Sequence, residues 1–290
     1  GTRFNIYSTA KAVTGLALAR QIEAGTVSLS ATLGEILPGM PPHLHEISLQ
    51  DILSHTSGVR HYSSPEDWLA FAMRHCEDPQ DAIAYFAEDL LLFEPGSQSS
   101  YSTFAFVLAS EVLLRASGQE DFAVALNSSL GNWADFHLDD GSVDKAQPYV
   151  RAGLLPELPA NTSPDDLVVL PAALSATCKF GGGGLVASSR ELARAGAALA
   201  SGEIMPLGKI EQALSAWSEV SNVVYGAGSG ETGTGADRVR SWSLSGGAPG
   251  GRSYLLVLVE PQISVAIAGN LDGANMADAA RDIAQAWLAA

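Results

Sequence analysis

Positive charge is scarce in this chain. Lys and Arg number 16 against 32 Asp and Glu, for a formal net charge of −16. A phosphate-binding surface needs a basic patch, and the cations here are scattered, so nucleic acid is not an expected partner. The acidity reads as a solvated surface. Cysteine is rarer still, limited to Cys76 and Cys178. The two permit one disulfide but no framework, and neither sits in a C-x-x-C, so zinc and thioredoxin-like chemistry are poorly supported. Long apolar runs are missing as well. Residues 254–259 form one of the longest, too short to span a bilayer. No signal-peptide pattern, low-complexity tract or internal repeat is read in these residues. There is also no G-x-S-x-G, the elbow of an α/β-hydrolase. What remains is 290 residues, 47% of them hydrophobic, enough for one large core or two lobes.

The informative stretch lies close to the start, at Ile6-Tyr7-Ser8-Thr9-Ala10-Lys11. Ser8 and Lys11 are three apart, so a helix beginning at Ser8 puts both on one face. A serine hydroxyl is a weak nucleophile until a base takes its proton. A lysine in a poorly hydrated site binds its proton less tightly and can be that base. The helix start adds unpaired amides and a positive dipole end, which favour an oxyanion beside the serine. Residues 12–24 are helix formers, nearly all apolar, and Gly25 is a stop. An isolated S-x-x-K is usually a helix cap and a surface lysine. A second copy, Ser142 to Lys145, follows a solvated Asp-Asp-Gly turn and reads as chance.

Further along, Ser48 and Asp51 suggest a capping box opening a short helix. Residues 65–76 and 79–92 read as helices, with Trp68, Phe71, Ile83, Phe86 and Leu90 on the inner face. Residues 103–116 form another apolar helix, and 127–164 read as a long surface excursion. Residues 188–200 are a capped helix ending at Gly202. From about residue 220 the pattern changes to strands: 254–259 and 263–268 are joined by Glu260-Pro261-Gln262 as a hairpin. A final amphipathic helix occupies 275–290. This order suggests a mainly helical region over 1–205, carrying Ser8, Lys11 and Tyr101, and a sheet with a C-terminal helix over 206–290. Two lobes with a cleft between them are expected.

Three other stretches fit one site with Ser8. Phe93-Glu94-Pro95-Gly96 leads into Tyr101-Ser102-Thr103, where an extended backbone points the phenol and the threonine hydroxyl the same way. His55-Thr56-Ser57-Gly58 is the second, with His55 better read as fixing a loop than as a base. The third is Leu244-Ser245-Gly246-Gly247, where a strand amide could complete an oxyanion hole. The ordered set resembles the serine β-lactamase and penicillin-binding-protein superfamily, close to class C β-lactamases and their esterase relatives. S-x-x-K is a motif of that superfamily. Ser57 to Tyr62 and Tyr101 to Phe104 look most like the branch of the mitochondrial serine β-lactamase-like protein and its bacterial relatives. The 51–58 segment and Gly182-Gly183-Gly184-Leu185 match too, so the resemblance runs from about residue 3 to the C-terminus.

That resemblance implies an α+β fold of the β-lactamase/transpeptidase type, a helical lobe against an antiparallel sheet flanked by helices. It implies a serine hydrolase working through an acyl-enzyme on an ester, amide or β-lactam, with no cofactor or metal. Ser8 would be the nucleophile, Lys11 its base and Tyr101 the proton carrier to the leaving group. The amides of Ser8 and Gly247 would form the oxyanion hole. Thr103, Leu244, Ser245 and Gly246 would face the substrate. Leu244 stands where the family has Lys or His, so neutral short-chain esters are expected over carboxylate-bearing substrates, with Arg240 or Arg252 as possible replacements. Relatives place a helix and two strands before S-x-x-K, so an upstream segment is expected to have been removed and the 263–268 strand to carry an open edge. Family members are commonly periplasmic or exported. The other function class is a structural or filament-forming member of the same fold with a degraded site. Blander readings hold elsewhere. The glycines at 182 and 184 imitate a dinucleotide fingerprint but lack a βαβ unit, and His43-x-His45-Glu46 reads as a loop surface rather than a metal site.

Overall fold

The apolar run after Ser8 folds as helix α1 (Thr9–Glu23), and every residue from Thr9 through Ala19 is buried. A helix without a polar side belongs at the centre of a fold. The structure is a computed structural model describing residues 1–289 except 134, 156, 158, 172, 173, 175, 217, 218 and 233–237, and only the backbone of 211 and 214–216. The further helices are α2 (Leu33–Ile36), α3 (Leu49–Leu53), α4 (Pro65–Ala72), α5 (Pro79–Ile83), α6 (Thr103–Ser117), α7 (Phe122–Leu130), α8 (Ser189–Ala200), α9 (Leu207–Ala216) and α10 (Met276–Leu288). The strands are β1 (Phe4–Asn5), β2 (His137–Leu138), β3 (Tyr149–Arg151), β4 (Leu167–Val169), β5 (Leu185–Ala187), β6 (Val223–Val224), β7 (Ala227–Thr232), β8 (Val239–Ala248), β9 (Gly251–Leu258) and β10 (Ile263–Gly269).

The main sheet is antiparallel, in the order β10-β9-β8-β7-β6, so β10 lies at an edge. Along β9 the side chains alternate between two cores, as strand geometry requires. Leu255 and Val257 join the main core with α1, α6 and α8. Tyr254, Leu256 and Leu258 face Ala280 and Ala284 of α10. The main core runs without a break from Ile6 to Val257, drawing on both the helical lobe and the sheet.

Local signals read from the sequence hold at several helix starts. Ser48 with Asp51 and Ser188 with Glu191 form capping boxes. Two expectations are corrected. The helix expected over 79–92 stops at Ile83, and the chain continues in turns. Ile83 and Phe86 are buried there, but Leu90 is 80% exposed rather than on an inner face. The stretch 127–164 is not merely a surface excursion. It carries β2, which pairs with β5, and β3, which pairs with β4, and it buries Phe136 and Val150. Cys76 and Cys178 form the one disulfide their number permits. It joins the segment after α4 to the 3-10 segment Thr177–Gly182, which packs against α6 and α1.

Candidate active site

Ser8 occupies the N-cap position of α1, yet its side chain accepts no capping hydrogen bond. A serine there usually turns its oxygen onto the N2 or N3 amide. Here the Oγ lies 2.6 Å from the Tyr101 hydroxyl instead. The turn before it is braced from two elements. Thr9 donates from both its amide and its Oγ1 to the Ile6 carbonyl, and Ser253 Oγ of β9 donates to the same oxygen. Tyr7 has a φ of 45°, unusual for a residue with a side chain, and its hydroxyl donates to the Pro249 carbonyl at 3.0 Å. The Ser8 amide makes no backbone hydrogen bond among the described residues.

Lys11, one helical turn on, is fully buried. Its Nζ reaches Ser8 Oγ at 3.4 Å and Thr103 Oγ1 at 3.2 Å, and donates closely to the Gly182 carbonyl. Burial lowers its pKa below the ordinary lysine value, and the neighbouring Tyr101 offsets only part of that. For Tyr101, burial alone would raise the phenol. The Lys11 charge and hydrogen bonds with Lys11, Ser8 and Thr103 outweigh it and hold the phenol below its usual range. Tyr101 still exposes 40% of its surface. The ring edges the cleft while its hydroxyl turns inward to Ser8.

Two histidines hold Tyr101. The His55 ring lies 4.7 Å from the tyrosine ring, its Nδ1 accepts from the Ser102 amide at 3.3 Å, and its carbonyl accepts from the Ser100 amide at 2.9 Å. Burial, with Lys11 and His61 nearby, drives its pKa down to about 3. His55 is therefore a neutral ring bracing the loop. His61 meets the edge of Tyr101 at 5.1 Å and accepts from the Thr103 amide at 3.3 Å. Burial followed by the nearby Lys11 and Lys179 charges lowers it to about 4. The rings of His43 and His45 are taken up by the backbone carbonyls of Asp89 and Met40.

Ser8, Tyr101, Thr103 and Gly247 line one cavity of about 460 Å³. Gly246 lies just behind it. A Cβ there would stand 2.2 Å from the Ile6 carbonyl oxygen and 3.0 Å from the Thr9 amide, so only glycine lets β8 approach α1 this closely. Leu244, Ser245 and Gly246 are not among the residues lining the cavity. Leu244 is half-buried against the main core and Ser245 points outward. Arg240 is paired with Glu260 at the far end of β8. Arg252 lies across Gly247 on the face of β9 opposite Ser253, and so away from α1. The sequence reading missed His61 and Lys179, which also line the cavity. His61 sat inside the family-like 57–62 stretch. Lys179 carried one signal, a lone cation between a cysteine and four glycines.

The family model named Beta-lactamase matches residues 1–289. The chain belongs to the beta-lactamase family. Among solved structures, this beta-lactamase family chain is similar to the penicillin-binding protein from Bacillus halodurans at 19% identity and a TM-score of 0.78, with 99% of this chain and 85% of that one covered. It is also similar to the D-stereospecific amidohydrolase from Streptomyces sp., at 20% identity and a TM-score of 0.74 over 93% of this chain and 83% of that one. The D-amino acid amidase from Ochrobactrum anthropi SV3 matches at 18% identity and a TM-score of 0.69, covering 93% and 77%. At these identities the likeness shows the fold, which is the α+β arrangement of the serine β-lactamase and penicillin-binding-protein superfamily.

Proposed function

We propose that this protein is a serine hydrolase that cleaves an ester or amide through an acyl-enzyme on Ser8. The observation that carries this reading is the convergence on one oxygen. Ser8 Oγ, released from its capping role, meets Tyr101 OH at 2.6 Å and the buried Lys11 Nζ at 3.4 Å. Nucleophile and base within hydrogen-bonding reach on rigid elements is the arrangement such catalysis needs.

In this reading neutral Lys11 takes the Ser8 proton as Oγ attacks the scissile carbonyl carbon. The negative charge moves to the carbonyl oxygen, where the amides of Ser8 and Gly247 receive it. Tyr101 passes a proton to the departing alkoxide or amine and regains one from Lys11. The acyl group is then an ester of Ser8. Water attacks it, the same groups run in reverse, and the acid product leaves with Ser8 protonated again. Thr103 keeps Lys11 in place through the 3.2 Å contact. The family and the amide-cleaving relatives support hydrolysis as the reaction class. The test is hydrolysis of 4-nitrophenyl esters and D-amino acid 4-nitroanilides by the wild type and by Ser8→Ala. Turnover lost in the variant supports the reading, and equal turnover overturns it.

A further inference from the structure

The cleft holds a cation that the steps above do not use. Lys179 lines the cavity containing Ser8 and also an adjoining one of about 420 Å³, the two sharing Tyr7, Trp68, Ala248 and Pro249. Among the described residues lining the reaction cavity it is the one lysine or arginine, and no carboxylate lines that cavity. The lysine residue is 7% exposed. Charge taken out of water normally carries a partner. Among the described residues none forms a salt bridge or hydrogen bond with this ammonium. The charge that favours its protonated form is Asp139. That carboxylate is already engaged by Lys145 and by Asn5 Nδ2, the latter at 2.6 Å. The rings of Tyr7 and Trp68, at 5.9 and 5.7 Å, favour the charge from the side but satisfy none of its N–H donors.

The placement is fixed. Cys178, the preceding residue, is tied to Cys76. A Cβ on Gly183 would stand 3.5 Å from both Lys179 Cδ and the Tyr7 carbonyl carbon, so the lysine stem and the Tyr7 backbone both border this glycine. Tyr7 adjoins the nucleophile. The lysine thus lines both cavities close to Ser8, with no salt bridge or hydrogen bond to its ammonium among the described residues.

We propose that Lys179 is the specificity-determining residue of this cleft and takes a carboxylate carried by the substrate several bonds from the scissile carbonyl. The assignment rests on the acyl-enzyme reading for the chemistry, but the geometry of the cation stands apart from it. Lys179 supplies the positive charge that Leu244 does not, from a different element, the 3-10 segment Thr177–Gly182. Burial and the Lys11 charge lower its pKa to about 8, partly offset by Asp139, which leaves it mostly protonated at neutral pH.

The test compares two substrate pairs: mono-4-nitrophenyl glutarate against 4-nitrophenyl pentanoate, with the charge on the acyl side, and 4-carboxyphenyl acetate against phenyl acetate, with the charge on the leaving group. In Lys179→Met the charged-to-neutral ratio of kcat/KM should fall roughly 10- to 100-fold in one of the pairs, the size of a hydrogen bond to a charged group. Lys179→Arg should restore part of it, and the responsive pair identifies the side on which the carboxylate lies. Unchanged ratios in both pairs overturn the assignment. If neither pair is hydrolysed, the acyl-enzyme reading fails, and binding still decides the role of Lys179. Calorimetry of glutarate with Ser8→Ala protein should then show binding that weakens at least about 10-fold when Lys179→Met is added. Equal binding with and without Lys179 overturns it.

Discussion

Replacing Lys179 by methionine should make the protein more stable at pH 7. Methionine keeps most of the apolar stem and removes a buried charge that makes no salt bridge or hydrogen bond among the described residues. Folding lowers the lysine pKa from 10.5 to about 8. At 1.36 kcal/mol per unit, that depression corresponds to about 3 kcal/mol of stability withheld while the group is charged. The sign follows from proton counting. Between pH 8 and 10.5 the unfolded chain still binds the proton and the folded protein has released it, so wild-type stability rises with pH across that window. Below about pH 8 both states are charged and the whole penalty is present. Urea unfolding of both proteins at pH 7 and pH 10 measures it. The expected advantage of Lys179→Met is about 3 kcal/mol at pH 7 and about 1 kcal/mol at pH 10, because the other titrations cancel in the difference. A variant less stable than wild type at pH 7, or a difference that ignores pH, would show that the lysine is not the bare cation described above. Such a gain would fit a residue kept for function at a cost in stability.

Three further outcomes are expected. Lys11→Ala should lower kcat nearly as far as Ser8→Ala, and the double variant little further, because members of one catalytic unit do not add; additive losses would separate them. The kcat/KM profile should rise with pH as Lys11, depressed by burial, gives up its proton. It should show no step near 6.5, since His55 at about 3 and His61 at about 4 are already neutral there; a histidine-like step would contradict the assignment of Lys11 as base. Reducing the Cys76–Cys178 bond, which closes a sequence separation of 102, should cost about 2–5 kcal/mol in urea unfolding, and no change would mean the bond contributes nothing to folding.

The sequence made the core of the site legible because its chemistry is local. Ser8 and Lys11 lie three residues apart on one helix, and Tyr101 and Thr103 flank a helix start, so spacing alone brings each pair to one side. Lys179 escaped because nothing local sends it to the cleft. It is placed there by the disulfide of the preceding Cys178 to Cys76 and by the rings of Tyr7 and Trp68, all distant in sequence. Leu244 was read by position within a motif, whereas the twofold alternation of β8 and its packing decide where it points. Strands β7 and β8 were hard to see for a related reason. They are rich in serine and glycine, residues that signal loops, and are held as strands by the register with β9. The helix expected over 79–92 had the apolar spacing, but burial of Ile83 and Phe86 is completed by turns, leaving Leu90 in solvent.

The central claim is that Ser8 carries the acyl group. Incubation with a fluorophosphonate or a fluorescent penicillin, followed by intact-mass and peptide mass spectrometry, tests it most directly. One adduct per chain on the peptide containing Ser8, absent from Ser8→Ala, is the predicted result. No adduct with either reagent, or an adduct that persists in Ser8→Ala, would contradict the account and favour a member of the fold whose site no longer works.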